Sequence, residues 1–125
     1  MTTVRDVMSS DLVVVAPSAT VQHAATRMYA KHTGSSLVME GDRLVGIFTE
    51  RDIVRALSGT SDAGRSSLIR DRMTPDPQCI TAGATVGEAL DRMLNGGFRH
   101  LPVIEDDRVI GMVSMRDLAG AISKG

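Results

Sequence analysis

An internal duplication without gaps is the feature that most constrains the fold of this 125-residue chain. Residues 4–57 align with residues 69–122 at a constant offset of 65 positions, and the matched pairs include Arg51-Asp52 with Arg116-Asp117. Because unrelated segments do not keep such agreement over this length, we predict two copies of one structural unit. Residues 58–68 between them are mostly small and polar, which is typical of a linker.

Each copy predicts the element order β-α-β-β-α. Both begin with short apolar runs, Leu12–Val15 and Cys79-Ile80, which we interpret as strands. Thr20 and Thr85 then begin helices whose apolar residues recur at helical spacing. The remaining predicted elements are two strands and a last helix in each copy, at 36–39, 44–48 and 49–57 and at 101–104, 109–113 and 114–122.

The ends of the first helix in each copy carry recognisable signals. Thr85 and Glu88 have the spacing of a capping box at the helix start. Gly34 and Gly96-Gly97 are expected to end the two helices, because glycine readily adopts the left-handed conformation there.

A single β-α-β-β-α unit has too few elements to cover both faces of its sheet. Two units packed sheet to sheet would bury those faces. We therefore predict an α/β (α+β) fold in which the repeats form a pseudo-twofold pair and residues 1–125 make one module. Functional sites should accordingly occur as two related copies at the junction of the repeats.

The strongest local pattern is Gly-x-x-hydroxyl-x-x-Asp, where the last strand of each copy meets its last helix. In one interpretation, the hydroxyl and the acid only form a capping box. In the other, the helix N-terminus attracts phosphate, the acid accepts from ribose hydroxyls, and the glycine leaves space for a flat ligand. Both remain open, and the residues concerned are Gly46, Thr49 and Asp52 in the first copy and Gly111, Ser114 and Asp117 in the second.

This pattern, occurring twice within a β-α-β-β-α duplication, resembles a tandem pair of cystathionine β-synthase (CBS) domains, also called a Bateman module. The Arg-Asp-Val-Met and Arg-Asp-Arg-Met openings and the segment Phe98–Val103 are similar to that family as well. The resemblance covers residues 4–122. It implies a regulatory module that binds AMP, ADP, ATP or S-adenosylmethionine as a ligand, without a resident cofactor.

The resemblance also implies roles for particular residues. Asp52 and Asp117 match the acid that binds ribose, and Thr49 and Ser114 match the hydroxyl near ribose or phosphate. The adenine slot would be lined by the first strand of the opposite copy and by the residue after the glycine. One slot would then use Gln78, Cys79, Ile80 and Ile47, and the other would use Val13, Val14, Val15 and Met112.

The two copies differ at one pair of positions that matters for charge. Arg99 and His100 match basic residues that contact phosphates in similar proteins, whereas the equivalent positions hold Gly34 and Ser35. We therefore expect unequal sites, with the phosphorylated ligand preferring Thr49 and Asp52 together with the basic pair. Alternatively, Arg99 and His100 cap the preceding helix or lie in solvent.

Composition excludes several other classes of protein. The net charge of −1 and an aromatic content of 2% argue against nucleic-acid binding, and no apolar run is long enough for a membrane span. No metal-ligand cluster or catalytic pairing is visible, so we expect a non-enzymatic protein without bound metal. The single cysteine, Cys79, is expected to be an inert core thiol and suits the cytoplasm.

Two expectations concern partners. The apolar last helices suit a homodimer, as such pairs commonly form in the family, although the internal core would explain the same residues. These are Ile53, Ala56 and Leu57 and, in the second copy, Leu118, Ala121 and Ile122. An unidentified regulated protein would respond to the ligand. The alternative function is a nucleotide-independent interaction or scaffold module.

Overall fold

The computed structural model describes residues 1–59 and 63–124, with only the backbone described for Lys124. Part of the predicted linker, residues 60–62, lies outside the described residues. The chain divides into two compact units. Unit 1 contains residues 1–12 and 78–124, and unit 2 contains residues 13–59 and 63–77.

Unit 2 holds a four-stranded sheet in the order β1-β2-β3-β4. β1 runs parallel to β2, and the other neighbouring strands are antiparallel. The strands are β1 (Val14–Val15), β2 (Ser35–Glu40), β3 (Arg43–Thr49) and β4 (Thr74–Pro75), and the helices are α2 (Val21–Lys31), α3 (Glu50–Leu57), α4 (Ala63–Ser66) and a 3₁₀ turn (Ile69–Asp71).

Unit 1 holds a three-stranded sheet in the order β5-β6-β7, again with one parallel and one antiparallel pairing. The predicted order β-α-β-β-α is confirmed in both copies. The strands are β5 (Ile80–Thr81), β6 (His100–Glu105) and β7 (Arg108–Ser114), and the helices are α1 (Val4–Val7), α5 (Val86–Gly96) and α6 (Met115–Lys124).

The opening segment of each sequence repeat lies in the unit that contains the body of the other repeat. Val4 is fully buried in the core of unit 1, and its N–H donates to the carbonyl of Ala84 over 2.8 Å. Ile69 is fully buried in the core of unit 2, and its N–H donates to the carbonyl of Ala19, also over 2.8 Å. Each unit therefore needs residues from both repeats to complete its core.

The predicted helix starts are confirmed, but one of the predicted ends is wrong. The hydroxyls of Thr20 and Thr85 accept from backbone N–H groups three residues on. Gly97 ends α5 with a φ of 71°, as predicted. Helix α2 instead ends before His32, which adopts a left-handed φ of 55° at the position equivalent to Gly97.

Gly34, expected to end α2, has a different role. Its carbonyl accepts from the N–H of Glu50 over 3.0 Å, at the start of α3. A Cβ on Gly34 would lie 2.3 Å from Glu50 Oε1, so a side chain there would displace the Glu50 carboxylate. The glycine is therefore explained by close approach to α3 rather than by helix termination.

The first strand of the second copy is displaced by one residue from its prediction. β1 begins at Val14, but β5 begins at Ile80, so Cys79 lies just outside the strand. In unit 2, the Leu37 N–H donates to the carbonyl of Val13 over 2.9 Å. The position equivalent to Leu37 is Pro102, which has no N–H to donate. The parallel pairing in unit 1 therefore begins one residue later.

The glycines of the Gly-x-x-hydroxyl-x-x-Asp pattern accommodate methionines of the opening segments. A Cβ on Gly111 would lie 2.5 Å from Met8 Sδ and 2.9 Å from a backbone carbonyl oxygen. A Cβ on Gly46 would lie 2.4 Å from Met73 Sδ and 3.0 Å from a backbone carbonyl oxygen. The prediction that these glycines make room for a flat ligand is therefore wrong, because the protein's own side chains fill that space.

Across residues 1–59 and 63–124, none of the helices combines the length and the apolar character needed to cross a bilayer.

We predict that Gly46→Ala and Gly111→Ala each destabilise the protein. The added methyl group would overlap a methionine and a backbone oxygen, which costs about 1–3 kcal/mol in free energy of unfolding. Gly120→Ala is the control, since a Cβ there meets nothing within 4 Å, and alanine in a helix gains about 0.5–1 kcal/mol. Urea unfolding measures the free energy of unfolding of all three variants. If Gly46→Ala and Gly111→Ala were both as stable as the wild-type protein, the methionine contacts would be contradicted.

Candidate functional site

The Thr49–Asp52 element forms a complete capping box at the start of α3. Asp52 Oδ2 accepts from the Thr49 N–H over 2.9 Å and from the Thr49 hydroxyl over 3.1 Å. The Asp52 N–H donates back to Thr49 Oγ1 over 3.4 Å. Asp52 is only 5% exposed, which is unusual for a carboxylate. The capping interpretation of this element is therefore confirmed.

The Ser114–Asp117 element repeats this arrangement at the start of α6. Asp117 Oδ2 accepts from the Ser114 N–H over 2.8 Å, and the Asp117 N–H donates to Ser114 Oγ over 3.1 Å. Asp117 is half-buried, so its carboxylate is more accessible than that of Asp52.

Capping occupies one oxygen of each carboxylate and leaves the other, Oδ1, for further contacts. Within the described ranges, the only partner of Asp52 Oδ1 is Arg55 Nη1, 3.8 Å away. An ionised carboxylate has about four acceptor positions. Capping and ligand binding can thus use different oxygens of the same group, and the first does not exclude the second.

A third element with the same geometry provides a reference. Asp6 Oδ2 accepts from the Thr3 N–H over 2.9 Å and from the Thr3 hydroxyl over 3.1 Å. These bonds, the backbone one first, hold the pKa of the fully exposed Asp6 carboxyl below its usual value. Thr3 and Asp6 begin α1 and were not predicted as a ligand site.

The predicted adenine-lining residues are mostly buried and lie in, or just before, strands β1, β3, β5 and β7. Within unit 2, Leu37 pairs with Val14 on one side and with Ile47 on the other. Within unit 1, Ile80 pairs with Val103, and Met112 pairs with Pro102. Val13, Val15, Ile47, Ile80 and Met112 are buried, Cys79 is half-buried, and Val14 and Gln78 are exposed.

Each predicted slot combines residues of both units. The Thr49–Asp52 site takes Ile47 from unit 2 and Gln78–Ile80 from unit 1, and the Ser114–Asp117 site takes Met112 from unit 1 and Val13–Val15 from unit 2. The assembly of either slot therefore stays a prediction.

Arg99 and His100 lie beside the second cap within their own unit. His100 is paired with Ser114 across the β6–β7 ladder, and the Arg99 carbonyl accepts from the Met115 N–H over 2.8 Å. Arg99 is exposed and His100 is half-buried. Unit 1 by itself thus brings the basic pair next to Ser114–Asp117, whereas its predicted association with Thr49–Asp52 involves the other unit and stays a prediction.

Sequence reasoning missed two arginines that hold the first strands. A guanidinium N–H of Arg27 donates to the carbonyl of Val14, and Arg92 donates to the carbonyl of Cys79 over 2.6 Å. Both carbonyls belong to residues predicted to line the adenine slots. The sequence does contain a signal for them, because arginine occurs at equivalent positions of the two repeats, 27 and 92.

Cys79 has the properties of an unreactive thiol. Burial raises the pKa of this thiol above its usual value, and the nearby Arg92 charge only partly opposes the shift. The raised pKa favours the neutral thiol. Because the thiolate is the nucleophilic form, this shift lowers the reactivity of Cys79.

In residues 1–59 and 63–124, no group of three His, Cys, Asp or Glu side chains could hold a metal ion. Unit 1 has an open groove of about 450 Å³ lined by Gln78, Glu88, Asp91, Arg92, Asn95 and Gly96. Of the predicted site residues, only Gln78 borders it.

Among known proteins, the chain is similar to an uncharacterised 17.7 kDa protein of Acidianus ambivalens. The two are 42% identical over 123 residues, which is 97% of this chain and 73% of the relative. A meiotically up-regulated protein of Schizosaccharomyces pombe is 41% identical over 93% of this chain, which spans only 16% of that protein. Similar sequences therefore occur within much longer proteins.

Solved structures share the fold over nearly the whole chain. A CBS-domain containing protein from Agrobacterium tumefaciens superimposes with a TM-score of 0.90 at 31% identity, covering 97% of this chain and 99% of that one. Two proteins below 25% identity show the fold alone. They are CBSX2 in complex with AMP (TM-score 0.85, 24% identity, 99% and 98% coverage) and the MJ0100 CBS domain pair with 5′-methylthioadenosine and S-adenosyl-L-methionine (TM-score 0.88, 23% identity, 99% and 98% coverage).

The family comparison agrees with the duplication and with these structures. The sequence model of the CBS domain matches residues 4–59 and again residues 69–124. The chain therefore belongs to the CBS domain family, as a tandem CBS pair.

Proposed function

We propose that this CBS pair is a regulatory module that senses an adenosine compound, of the class of AMP, ADP, ATP or S-adenosylmethionine. The ligand binds where residues of the two repeats meet, and no reaction is catalysed. A regulated partner reads the change in packing that the ligand favours. The cytoplasm is the expected compartment.

The observation that carries this proposal is the duplicated acid at a helix N-terminus, with one carboxylate oxygen not used in capping. Asp52 and Asp117 each use Oδ2 for capping, so Oδ1 can accept from a ribose hydroxyl. The adjacent helix N-terminus favours an anionic phosphate. Buried apolar residues such as Ile47 and Met112 suit the faces of a purine.

Two proteins of the same fold support the ligand class. The CBSX2 structure holds AMP, and the MJ0100 pair holds 5′-methylthioadenosine and S-adenosyl-L-methionine. All three ligands share an adenosine moiety. We therefore assign adenosine recognition to this chain and leave the 5′ substituent to be set by local charge.

A nucleotide-independent scaffold is the competing function. It is favoured by the completeness of the caps, since Thr49 and Asp52 already satisfy each other. A scaffold would show no increase in the free energy of unfolding with any adenosine compound. That measurement therefore distinguishes the two functions.

We predict that AMP stabilises the protein and that Asp52→Asn and Asp117→Asn each weaken binding at their own site. A ligand at 100 times its Kd adds about 2.7 kcal/mol to the free energy of unfolding. Loss of a charged hydrogen-bond acceptor lowers affinity about ten- to a hundredfold. Thermal shift and calorimetry measure both effects.

The matched control is Asp6→Asn, which changes an acid with the same hydrogen-bond geometry outside both predicted sites. It should leave AMP affinity unchanged. If neither AMP nor S-adenosylmethionine shifts the melting temperature at millimolar concentration, the scaffold function is correct. If Asp6→Asn weakens binding as much as Asp52→Asn, the ribose role is wrong.

We further propose that Arg99 and His100 make the two sites unequal by binding the ligand phosphate. A guanidinium forms paired hydrogen bonds with phosphate oxygens, which the equivalent Gly34 cannot provide. The sequence assigned the basic pair to Asp52. The pairing of His100 with Ser114 favours Asp117 instead.

We predict that Arg99→Ala weakens AMP binding about tenfold but leaves adenosine binding unchanged, because adenosine has no phosphate. Arg108→Ala, which removes an exposed arginine at the far end of β7, is the control. Double-mutant cycles with Asp52→Asn and with Asp117→Asn identify the site that Arg99 serves, and we expect coupling with Asp117. Unchanged AMP affinity in Arg99→Ala would eliminate the phosphate role.

We also propose a homodimer formed through the last helices. Ala56 and Leu118 are buried in their own units and Ile53 and Ala121 are half-buried, so the core explains part of the predicted apolar set. Leu57 and Ile122, at equivalent positions of the repeats, remain 49% and 52% exposed. Repeated exposure of large apolar side chains suits a self-complementary interface.

We predict that Leu57→Lys and Ile122→Lys convert the dimer to a monomer, because each would bury an unpaired charge at the interface. Ser123→Lys places the same charge on the exposed neighbouring residue of α6 and should leave the dimer intact. Size-exclusion chromatography with light scattering measures the mass. A wild-type protein that is monomeric with and without AMP would refute the dimer.

A further inference from the structure

Unit 1 is assembled from two parts of the chain that are far apart in sequence. It consists of residues 1–12 and 78–124, whereas both parts of unit 2, residues 13–59 and 63–77, come from one region of the sequence. Val4, from the first part of unit 1, is fully buried in its core. The body of the second repeat therefore has a complete core only when residues from the beginning of the sequence dock on it.

The first opening segment, residues 2–9, docks on unit 1 largely through its backbone. Five backbone hydrogen bonds connect it to the body of the second repeat. Near one end, the Val4 N–H donates to the carbonyl of Ala84 over 2.8 Å, and at the other end Ser9 and Met112 exchange both of their backbone hydrogen bonds over 2.9 Å. Main-chain bonds of this kind can form equally well with an identical segment from another chain.

The side chains of this segment make the docking selective. Val4 fills the core of unit 1, and Val7 and Met8 pack against that core. The opening segment of the second repeat is similar in sequence, but it has Arg72 at the position equivalent to Val7. A charged side chain at this place would remove the apolar contact and bring a cation to the core. The docking surface of unit 1 therefore favours the first opening segment over the second. It is formed by Ala82, Ala84, Val86, Gly111 and Met112.

Only a short irregular stretch separates the first opening segment from unit 2. Ser10, Asp11 and Leu12 belong to neither a helix nor a strand, and the first two are exposed. Such a stretch can change its backbone direction without breaking the hydrogen bonds of a helix or a strand. The first opening segment can therefore leave the docking surface of its own chain and reach that of another.

We propose that two copies of the chain exchange their first opening segments, so that residues 2–9 of each copy complete unit 1 of the other. The docking surface meets the same residues in either arrangement, so exchange alters the covalent connection but none of these contacts. In the exchanged pair, Met8 of one copy lies against Gly111 of the other, just before the Ser114–Asp117 cap. Each copy then contributes a residue that packs beside the other's candidate site.

Cysteine pairs placed across the docking surface test the exchange. Because Ser9 and Met112 exchange both backbone hydrogen bonds, their Cα atoms are expected about 5.5 Å apart, which suits a disulfide. In a Cys79→Ser background, a copy carrying Ser9→Cys is mixed with a copy carrying Met112→Cys under mild oxidation. The two thiols are held together only when the segment of one copy lies in unit 1 of the other. Mass spectrometry of the linked peptides identifies the 9–112 disulfide.

The matched control replaces Met112→Cys by Gly120→Cys, which places a thiol on an exposed position of α6 and measures disulfides formed by chance collision. We expect about tenfold more of the 9–112 disulfide than of the 9–120 disulfide, because docking raises the effective concentration of the thiols. The double variant Ser9→Cys/Met112→Cys shows whether the two thiols can meet. It should form a 9–112 disulfide whether or not the segment is exchanged.

A second pair, Thr3→Cys with Thr85→Cys, replaces the first if one of those variants does not fold. Thr3 and Thr85 face each other in an antiparallel bridge at the opposite end of the segment. The disulfide between copies should persist in a Leu57→Lys background, because Leu57 does not belong to the docking surface. Equal amounts of the 9–112 and 9–120 disulfides, loss of the 9–112 disulfide in Leu57→Lys, or a double variant that forms no disulfide would overturn the exchange.

Discussion

The packing of each opening segment against the body of the other repeat is the interaction on which the rest of the structure depends. Val4 and Ile69 are the fully buried residues that anchor these segments, and Met8 and Met73 follow them along the chain. The methionines lie against the glycines of β3 and β7, just before the hydroxyl and the acid of each motif. Packing of the core and geometry of the candidate site are therefore connected through the same few residues.

This arrangement changes the meaning of the sequence motif. Gly-x-x-hydroxyl-x-x-Asp combines a steric requirement with an electrostatic one. The glycine admits a methionine, while the hydroxyl and Asp begin the helix. Only the second carboxylate oxygen is left for a ligand. In this motif the glycine, the hydroxyl and one carboxylate oxygen therefore have structural roles, and the proposed ligand contact is the other carboxylate oxygen beside a helix N-terminus.

The sequence predicted those features that depend on local chemistry. Thr20, Thr49, Thr85 and Ser114 cap helices as expected, because a cap involves only neighbouring residues. The features that were missed depend on contacts between distant segments. The 3₁₀ turn at Ile69–Asp71 is too short to show periodicity and forms because its residues complete a distant core. Arg27 and Arg92 were visible as a repeated pair, but their carbonyl partners follow only from the fold.

Differences between the repeats make the two units chemically unequal, although both have the same architecture. Residues that are identical at equivalent positions of the repeats give both units the same fold. A residue that differs between the repeats alters one unit only. Arg99 replaces the equivalent Gly34 and adds a charge beside the second cap. Pro102 replaces the equivalent Leu37, whose N–H donates to the carbonyl of Val13 in the other unit. The first replacement directly precedes strands β2 and β6, and the second lies within them. A duplicated module can in this way keep one architecture while its two copies differ in charge and in hydrogen-bonding groups, because each of these properties depends on a single residue rather than on the packing that both copies share.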